Sequence, residues 1–383
     1  MFFNFQSPIN DISTYQIYKV FKIELAQRFA LNILGIQLYQ MDMNYETKWT
    51  NLNNKLREIE RFHGGLSAAL NELEVHQRET GFIKDSLAEI ERVVFSHPEE
   101  KNYTLRAQIN PRRAKRHDGS EGLTLPKRHK FRNDGCFLCA ENIKWQQQQR
   151  QIGFEITASR GIYNALMNPF PLLPNHVVFA SKDHIPQEFS LLNPKKGAKE
   201  LEEVLEDLCQ LAHRLPNHIG FYNGVGAGAS IPGHFHFQFF HRAPESPSFP
   251  IEEREFTTAK NADDPEFIIG YPINILRWQG DLGKVVPNAV RWISNWIKSE
   301  IEPNKRLSTN FIATSGRSRE EITLYFVPRN KNKQFWNGNR GIVGGLEVLG
   351  ELVMASEDEL ALIKSGMIDY HFIERALSAV SMN

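Results

Sequence analysis

Phe221-Tyr-Asn-Gly-Val-Gly-Ala-Gly-Ala-Ser-Ile-Pro-Gly-His-Phe-His-Phe-Gln-Phe-Phe-His-Arg242 reads as a strand, a tight loop and a second strand. In the second strand a period of two puts His234, His236 and Gln238 on one face and Phe235, Phe237 and Phe239 on the other. A polar stripe backed by phenylalanine belongs to a packed strand, because the aromatic face has to be covered. The loop from Gly224 to Gly233 holds four glycines. Glycine accepts φ > 0 and lets backbone N–H groups approach a ligand closely, so such a loop beside a histidine stripe suits phosphate oxygens. The competing reading is a glycine-rich hairpin with core histidines, which would fit a lone histidine better than this alternation.

Working outward, 383 residues are enough for two domains, or for one domain built of two halves. Lys+Arg and Asp+Glu both total 45, so the formal net charge is zero. No global basic field argues for nucleic acid, and no acidic excess argues for disorder. No apolar run approaches the ~20 residues that span a bilayer, and Met1-Phe-Phe-Asn-Phe lacks the pattern of a signal peptide. The expectation is a cytoplasmic protein with neither a membrane nor a nucleic acid among its partners. Three cysteines, Cys136, Cys139 and Cys209, make no disulfide framework and fit a reducing compartment.

Residues 1–100 read as a helical extension, with apolar residues at three and four spacing over Ile17 to Tyr39 and Leu52 to Val94. It carries no chemistry; His63 and His76 read as surface or packing residues, and the segment is a candidate for partner binding or homodimer formation. From Tyr103 a strand leads into a basic loop containing Arg113 and Arg116, which by charge alone is a solvated run. Cys136-Phe-Leu-Cys139 is half of a tetrahedral zinc site, a redox pair, or two buried small residues. A redox role would call for a strand-to-helix junction of a βαβ unit, which the surroundings do not suggest. Val177 to Ala180 is a strand, and Pro194 to Leu215 an amphipathic helix that takes Cys209 into its apolar face. His176 reads as a hydrogen-bonded structural histidine. Beyond a proline-rich linker at Arg242 to Pro250, a helix from Pro287 to Ile301 precedes a second strand-loop-strand unit, Thr309 to Arg329. This copy has no histidine.

His-Phe-His-Phe-Gln behind an Asn-Gly and Gly-Ala-Ser loop resembles the active-site strand of the histidine-triad superfamily, in the branch where glutamine replaces the third histidine. That branch holds galactose-1-phosphate uridylyltransferase and the nucleotide phosphorylases acting on diadenosine tetraphosphate or GDP-hexoses. Arg113-Ala-Lys-Arg116 and Cys136-Phe-Leu-Cys-Ala-Glu-Asn142 resemble segments of the uridylyltransferase, and Phe326-Val-Pro-Arg329 and Gly345 to Gly350 resemble the GDP-hexose phosphorylases. The resemblance covers about residues 103–365. It departs at Phe235, where the uridylyltransferase has proline, and in a loop one residue longer.

The resemblance implies an α+β fold of two fused histidine-triad-like halves with antiparallel sheets, residues 101–250 catalytic and 251–383 degenerate. It implies that His236 is the nucleophile, that Gln238 and Ser230 stabilise charge on phosphorus, and that Arg113, Arg116, Asn168, Asn223 and Gly228 bind substrate. It also implies a structural zinc on Cys136, Cys139, His184 and His234. The activity implied is nucleotidyl transfer from a nucleotide sugar or dinucleoside polyphosphate through a nucleotidyl-histidine intermediate, with phosphate or a sugar phosphate as acceptor. The alternatives are a histidine-triad-type nucleotide hydrolase and a non-catalytic nucleotide-binding protein. Glutamine cannot protonate a leaving group, which favours transfer over hydrolysis.

Overall fold

A computed structural model describes residues 44–84, 87–111, 135–145, 150–188, 196–300, 307–316, 321–333, 335–337 and 340–382. The chain divides into two compact units, residues 1–52 and 53–383. Of the first unit only residues 44–52 are described; they open helix α1, Tyr45–Phe62, whose N-terminus is capped by Asn44 Oδ1 accepting from the Thr47 N–H at 2.8 Å. The expected helix from Ile17 to Tyr39 lies outside the described residues, as do Arg113 and Arg116.

Helix α2, Gly65–Glu79, buries Leu66, Ala69, Leu70 and Leu73, the stripe that helical spacing demands. It ends before Gly81, whose φ of 71° suits a residue without Cβ. The helical reading as far as Val94 is overturned here. Glu91–Ser96 is strand β1, paired antiparallel with β2, Thr104–Ile109, in the register Val93↔Ala107. Val93, Val94 and Phe95 suit a pleated surface, and pairing with a strand further along the chain outweighs the periodicity.

The chain then runs through a short helix α3, Ala140–Ile143, and strands β3, Phe154–Ala158, β4, Gly161–Met167, and β5, Val177–Ser181. Helix α4, Gly197–Arg214, leads to β6, His218–Asn223, and β7, His236–His241. After β8, Glu266–Phe267, and β9, Leu276–Asp281, come helix α5, Leu282–Glu300, and the long hairpin β10, Leu307–Ser315, and β11, Glu321–Asn330. A small ribbon of β12, Phe335–Asn337, and β13, Arg340–Ile342, precedes helix α6, Gly345–Val348, β14, Glu351–Met354, and helices α7, Glu357–Lys364, and α8, Tyr370–Ala379.

Among the described residues, nine strands form one antiparallel sheet in the order β3-β4-β5-β7-β6-β10-β11-β9-β8. Five come from the first half and four from the second. The halves meet at β6 and β10, where Asn223 pairs with Asn310 and Ile219 with Thr314. An α+β architecture built on an antiparallel sheet follows.

Each face of the sheet is covered. On one, α4 lies over β6, β10 and β11 and α5 over β9 and β11, burying Leu201, Leu205, Leu208 and Ile293 against Phe237, Phe239, Phe311 and Phe326. Cys209 belongs to this layer and is fully buried, which raises its thiol pKa through desolvation. On the other face, β14 runs parallel to β2, and their Leu105, Ala107, Leu352 and Met354 join Ile373 and Leu377 of α8 in a core shared with Phe221, Phe240, Ile312, Tyr325 and Val327. That second layer closes over the middle of the sheet and positions the residues around His236. No helix among the described residues is long and apolar enough to cross a membrane.

Candidate active site

Strand β7 divides its side chains as the period of two requires. Phe237 and Phe239 are fully buried toward α4, with Phe237 packed beside Tyr163, whose hydroxyl donates to Asp207 of α4 at 2.6 Å. His236 and Gln238 face the other way, opposite Ala180 and Val178 of β5.

Hydrogen bonds hold His236 in place. Its backbone N–H donates to Gln187 Oε1 at 2.7 Å, and its Nδ1 lies 2.8 Å from the His234 carbonyl oxygen. A carbonyl can only accept, so the ring proton is on Nδ1 and the lone pair on Nε2. Gln187 is fully buried and enters where β6 and β7 part: its Nε2 donates to the carbonyls of Asn223 and His236, each at 3.0 Å. Tyr222 Oη in turn donates to the Gln187 carbonyl. Sequence reading did not single out Gln187. Its signal was its place three residues after His184, where a side-chain amide can close an opened strand pair.

Gln238 is oriented by His176. The Leu172 N–H donates to His176 Nδ1 at 3.2 Å, so that nitrogen is the acceptor and Nε2 carries the proton it gives to Gln238 Oε1 at 3.0 Å. With its oxygen engaged in this way, Gln238 turns its NH₂ group the other way. The structural, hydrogen-bonded role expected of His176 therefore includes control of a site residue.

The glycine loop starts at Asn223, which is buried and whose Oδ1 accepts from Asn310 Nδ2 at 2.8 Å. Gly228 adopts φ 95°, and a Cβ there would collide with the backbone of Gly344 in the second half. Only glycine allows both the turn and that approach. Ser230 is exposed in the same loop. Asn168 is half-buried after β4, and its Oδ1 accepts from the Phe170 N–H at 2.9 Å, fastening the turn that leads to His176.

The Cys136 loop, His184 and His234 come together although 98 residues separate the two ends of the set. Their ligand atoms all lie within 4.8 Å of one another. His184 Nδ1 and His234 Nδ1 are 3.2 Å apart, Cys139 Sγ is 3.2 Å from the first and 3.7 Å from the second, and Cys136 Sγ is 3.5 Å from the second. A zinc tetrahedron with bonds of about 2.3 Å to sulfur and 2.0 Å to nitrogen has edges of roughly 3.3 to 3.8 Å. The observed separations are close to those edges. The His234 Nε2–H donates to the Ser181 carbonyl at 2.7 Å, which turns the Nδ1 lone pair into the cluster. Burial also lowers the pKa of His234, favouring the neutral form that a metal requires. Two thiols and two imidazole nitrogens make a donor set suited to a metal ion.

Comparison with known proteins adds the fold. A family model described as a domain of unknown function, DUF4922, matches residues 73–241. No curated protein matches. Among solved structures, the chain is similar to yeast Ap4A phosphorylase Apa2, with a TM-score of 0.52 at 14% identity over 82% of this chain and 96% of that one. The same yeast enzyme in complex with AMP gives a TM-score of 0.52 at 15% identity, over 82% and 94% of the two chains. At such identities the likeness is one of fold.

Proposed function

We propose that the protein is a nucleotidyltransferase of the phosphorylase type that passes a nucleotide through His236. The observation that carries this reading is the Nδ1 hydrogen bond of His236 to the His234 carbonyl, which leaves Nε2 as the nucleophilic nitrogen on a packed strand beside a glycine loop and an oriented amide. The similarity in fold to a phosphorylase of dinucleoside polyphosphates supports the substrate class.

In the first step the Nε2 lone pair attacks the α-phosphorus of a nucleotide sugar or dinucleoside polyphosphate. A P–N bond forms, and the P–O bond to the leaving sugar phosphate, or to the leaving nucleoside polyphosphate of a dinucleotide substrate, breaks, its electron pair departing on oxygen. The Nδ1–H remains on the His234 carbonyl and shares the positive charge that develops on the ring. In the second step an oxygen of phosphate or of a sugar phosphate attacks phosphorus, and the P–N pair returns to Nε2. The Gln238 NH₂ group, the loop N–H groups and Ser230 stabilise the phosphoryl oxygens. Asn168, Asn223 and Gly228 shape the substrate site, and Arg113 and Arg116 add phosphate contacts of the bidentate kind.

Gln238 has no proton to give, so a leaving group that departs as an anion suits this site, and transfer to phosphate is favoured over a hydrolase. Cys136, Cys139, His184 and His234 would hold zinc. When bound, the ion would supply a structural cross-link that anchors the chain two residues before His236. We place the chemistry in the cytoplasm, in a chain organised as an extension to residue 100 that is helical in α1 and α2 and ends in β1, a catalytic half to 250 and a degenerate half to 383, with the extension serving a homodimer.

Incubation with α-phosphate-labelled nucleotide sugars and dinucleotides, without acceptor, should leave acid-labile, base-stable label on the protein. His236→Gly should abolish the label, and added phosphate should discharge it as a nucleoside diphosphate. Wild-type turnover in His236→Gly would falsify the mechanism.

A further inference from the structure

Among the described residues, the bulkiest fully buried side chain is Arg329, near the end of β11 in the strand pair that lacks histidine. Its Nε donates to the Val380 carbonyl at 3.2 Å, its Nη2 to the Val343 carbonyl at 3.0 Å and its Nη1 to Asn310 Oδ1 at 2.7 Å. All three acceptors are neutral. Among the described residues, the acidic group acting on it is Glu347, through space, and that carboxylate accepts from the Gly344 N–H at 2.9 Å. Burial pulls the guanidinium down to about 10, which leaves it protonated at neutral pH. A buried cation without a contacting carboxylate is costly, and apolar residues of similar volume commonly serve packing better.

Sheet register shows where this charge is aimed. Val327 pairs with Asn310, and Asn310 with Asn223. Asn223 lies two residues beyond the last β6–β7 pair, Phe221↔Gln238, and Gln187 Nε2 bridges its carbonyl to that of His236. Alternation places Arg329 on the face of Val327, and therefore on the face of Asn310, Asn223 and His236. The guanidinium also decides how the Asn310 amide lies. Its oxygen must meet Arg329, so its NH₂ group points to the loop, donating to Asn223 Oδ1 at 2.8 Å and to the Ala227 carbonyl at 2.7 Å.

We propose that Arg329 is a positioning residue for the phosphate site: through Asn310 it holds the Asn223–Ala227 limb of the glycine loop, and its fixed charge places a positive potential behind that loop. The degenerate half thereby contributes the charge, and the catalytic half the nucleophile. This rests on the reading of the loop as a phosphate cradle.

Pyrophosphate, an anion without a base, is the probe. Arg329→Gln should weaken its binding about tenfold, the size expected of a unit charge roughly two strand spacings away at the effective dielectric of a protein interior. Arg329→Lys should restore most of the affinity. A packing role alone would lower the melting temperature of both variants and leave pyrophosphate binding unchanged in each. If Arg329→Gln does not fold, Asn310→Asp keeps an acceptor on Arg329, neutralises its charge and withdraws the donor from the loop, and should likewise bind about tenfold more weakly. Either variant, folded and binding pyrophosphate as tightly as wild type, overturns the inference. Wild-type protein that binds neither pyrophosphate nor any of AMP, GMP, CMP and UMP overturns the phosphate reading itself, and this inference with it.

Discussion

The β6–β7 and β10–β11 units share one outline and lie side by side in one sheet, yet their polar side chains differ in kind. The first carries His236 and Gln238 beside a glycine loop; the second carries Asn310 and Arg329, turned toward that loop. Both bury phenylalanine against the helical layer. Strand register depends on apolar alternation, so a half can lack reactive groups and still hold its partner in place.

The comparison breaks most readily at the cluster of Cys136, Cys139, His184 and His234, which belongs to the first half. Removing zinc with a chelator, or replacing Cys139 with Ser, should cost about 3 kcal/mol or more, because ligand binding is part of folding there. Hydrogen exchange should rise first in β5 and β7, while β9 to β11 stay protected. Exchange and unfolding unmoved by metal removal would end the zinc assignment.

Acid is the next lever. His218 of β6 is buried, with Nε2 3.0 Å from Asn175 Oδ1, and burial, with His241 adding to it, lowers its pKa to about 4. The unfolded chain binds this proton near pH 6.5, so its contribution is fully present above 6.5 and is lost as pH falls to 4. That amounts to about 3 kcal/mol. Neither β10 nor β11 contains histidine, so the sensitivity belongs to the first half. His218→Gln should flatten the stability profile across this window; an unchanged slope would refute the assignment.

The smallest effects separate orientation from packing. His176→Phe releases the Gln238 amide and should slow nucleotidyl transfer about tenfold, roughly the size of one hydrogen bond, while the Leu172 N–H left without its acceptor also lowers the melting temperature. Ile312→Val, in the matching row of the second half, should cost about 1 kcal/mol of stability and leave the rate alone. If the two variants traded effects, the division of labour between the halves would be wrong.

Much of this was legible in the chain. Phenylalanine alternation in β7 announces a strand with two unlike faces, whereas His184 and His234 join Cys136 and Cys139 only through the resemblance to the uridylyltransferase. The helical reading to Val94 failed because β1 exists only through its pairing with β2. Arg329 stood in an apolar run, Phe326-Val-Pro-Arg, which marks a buried charge but does not say what meets it.

Residue order by itself determined which strands could form, where glycine was required and which atoms could be nucleophile or ligand, since these follow from local sterics and side-chain chemistry. Tertiary structure alone decided that His236 carries its proton on Nδ1, that Gln187 fills the gap between β6 and β7, and that Arg329 reaches the glycine loop through Asn310. Each of these depends on a hydrogen-bond partner distant in sequence. Such a partner is chosen by sheet register and by the packing of the two halves, and neither is written in any single segment.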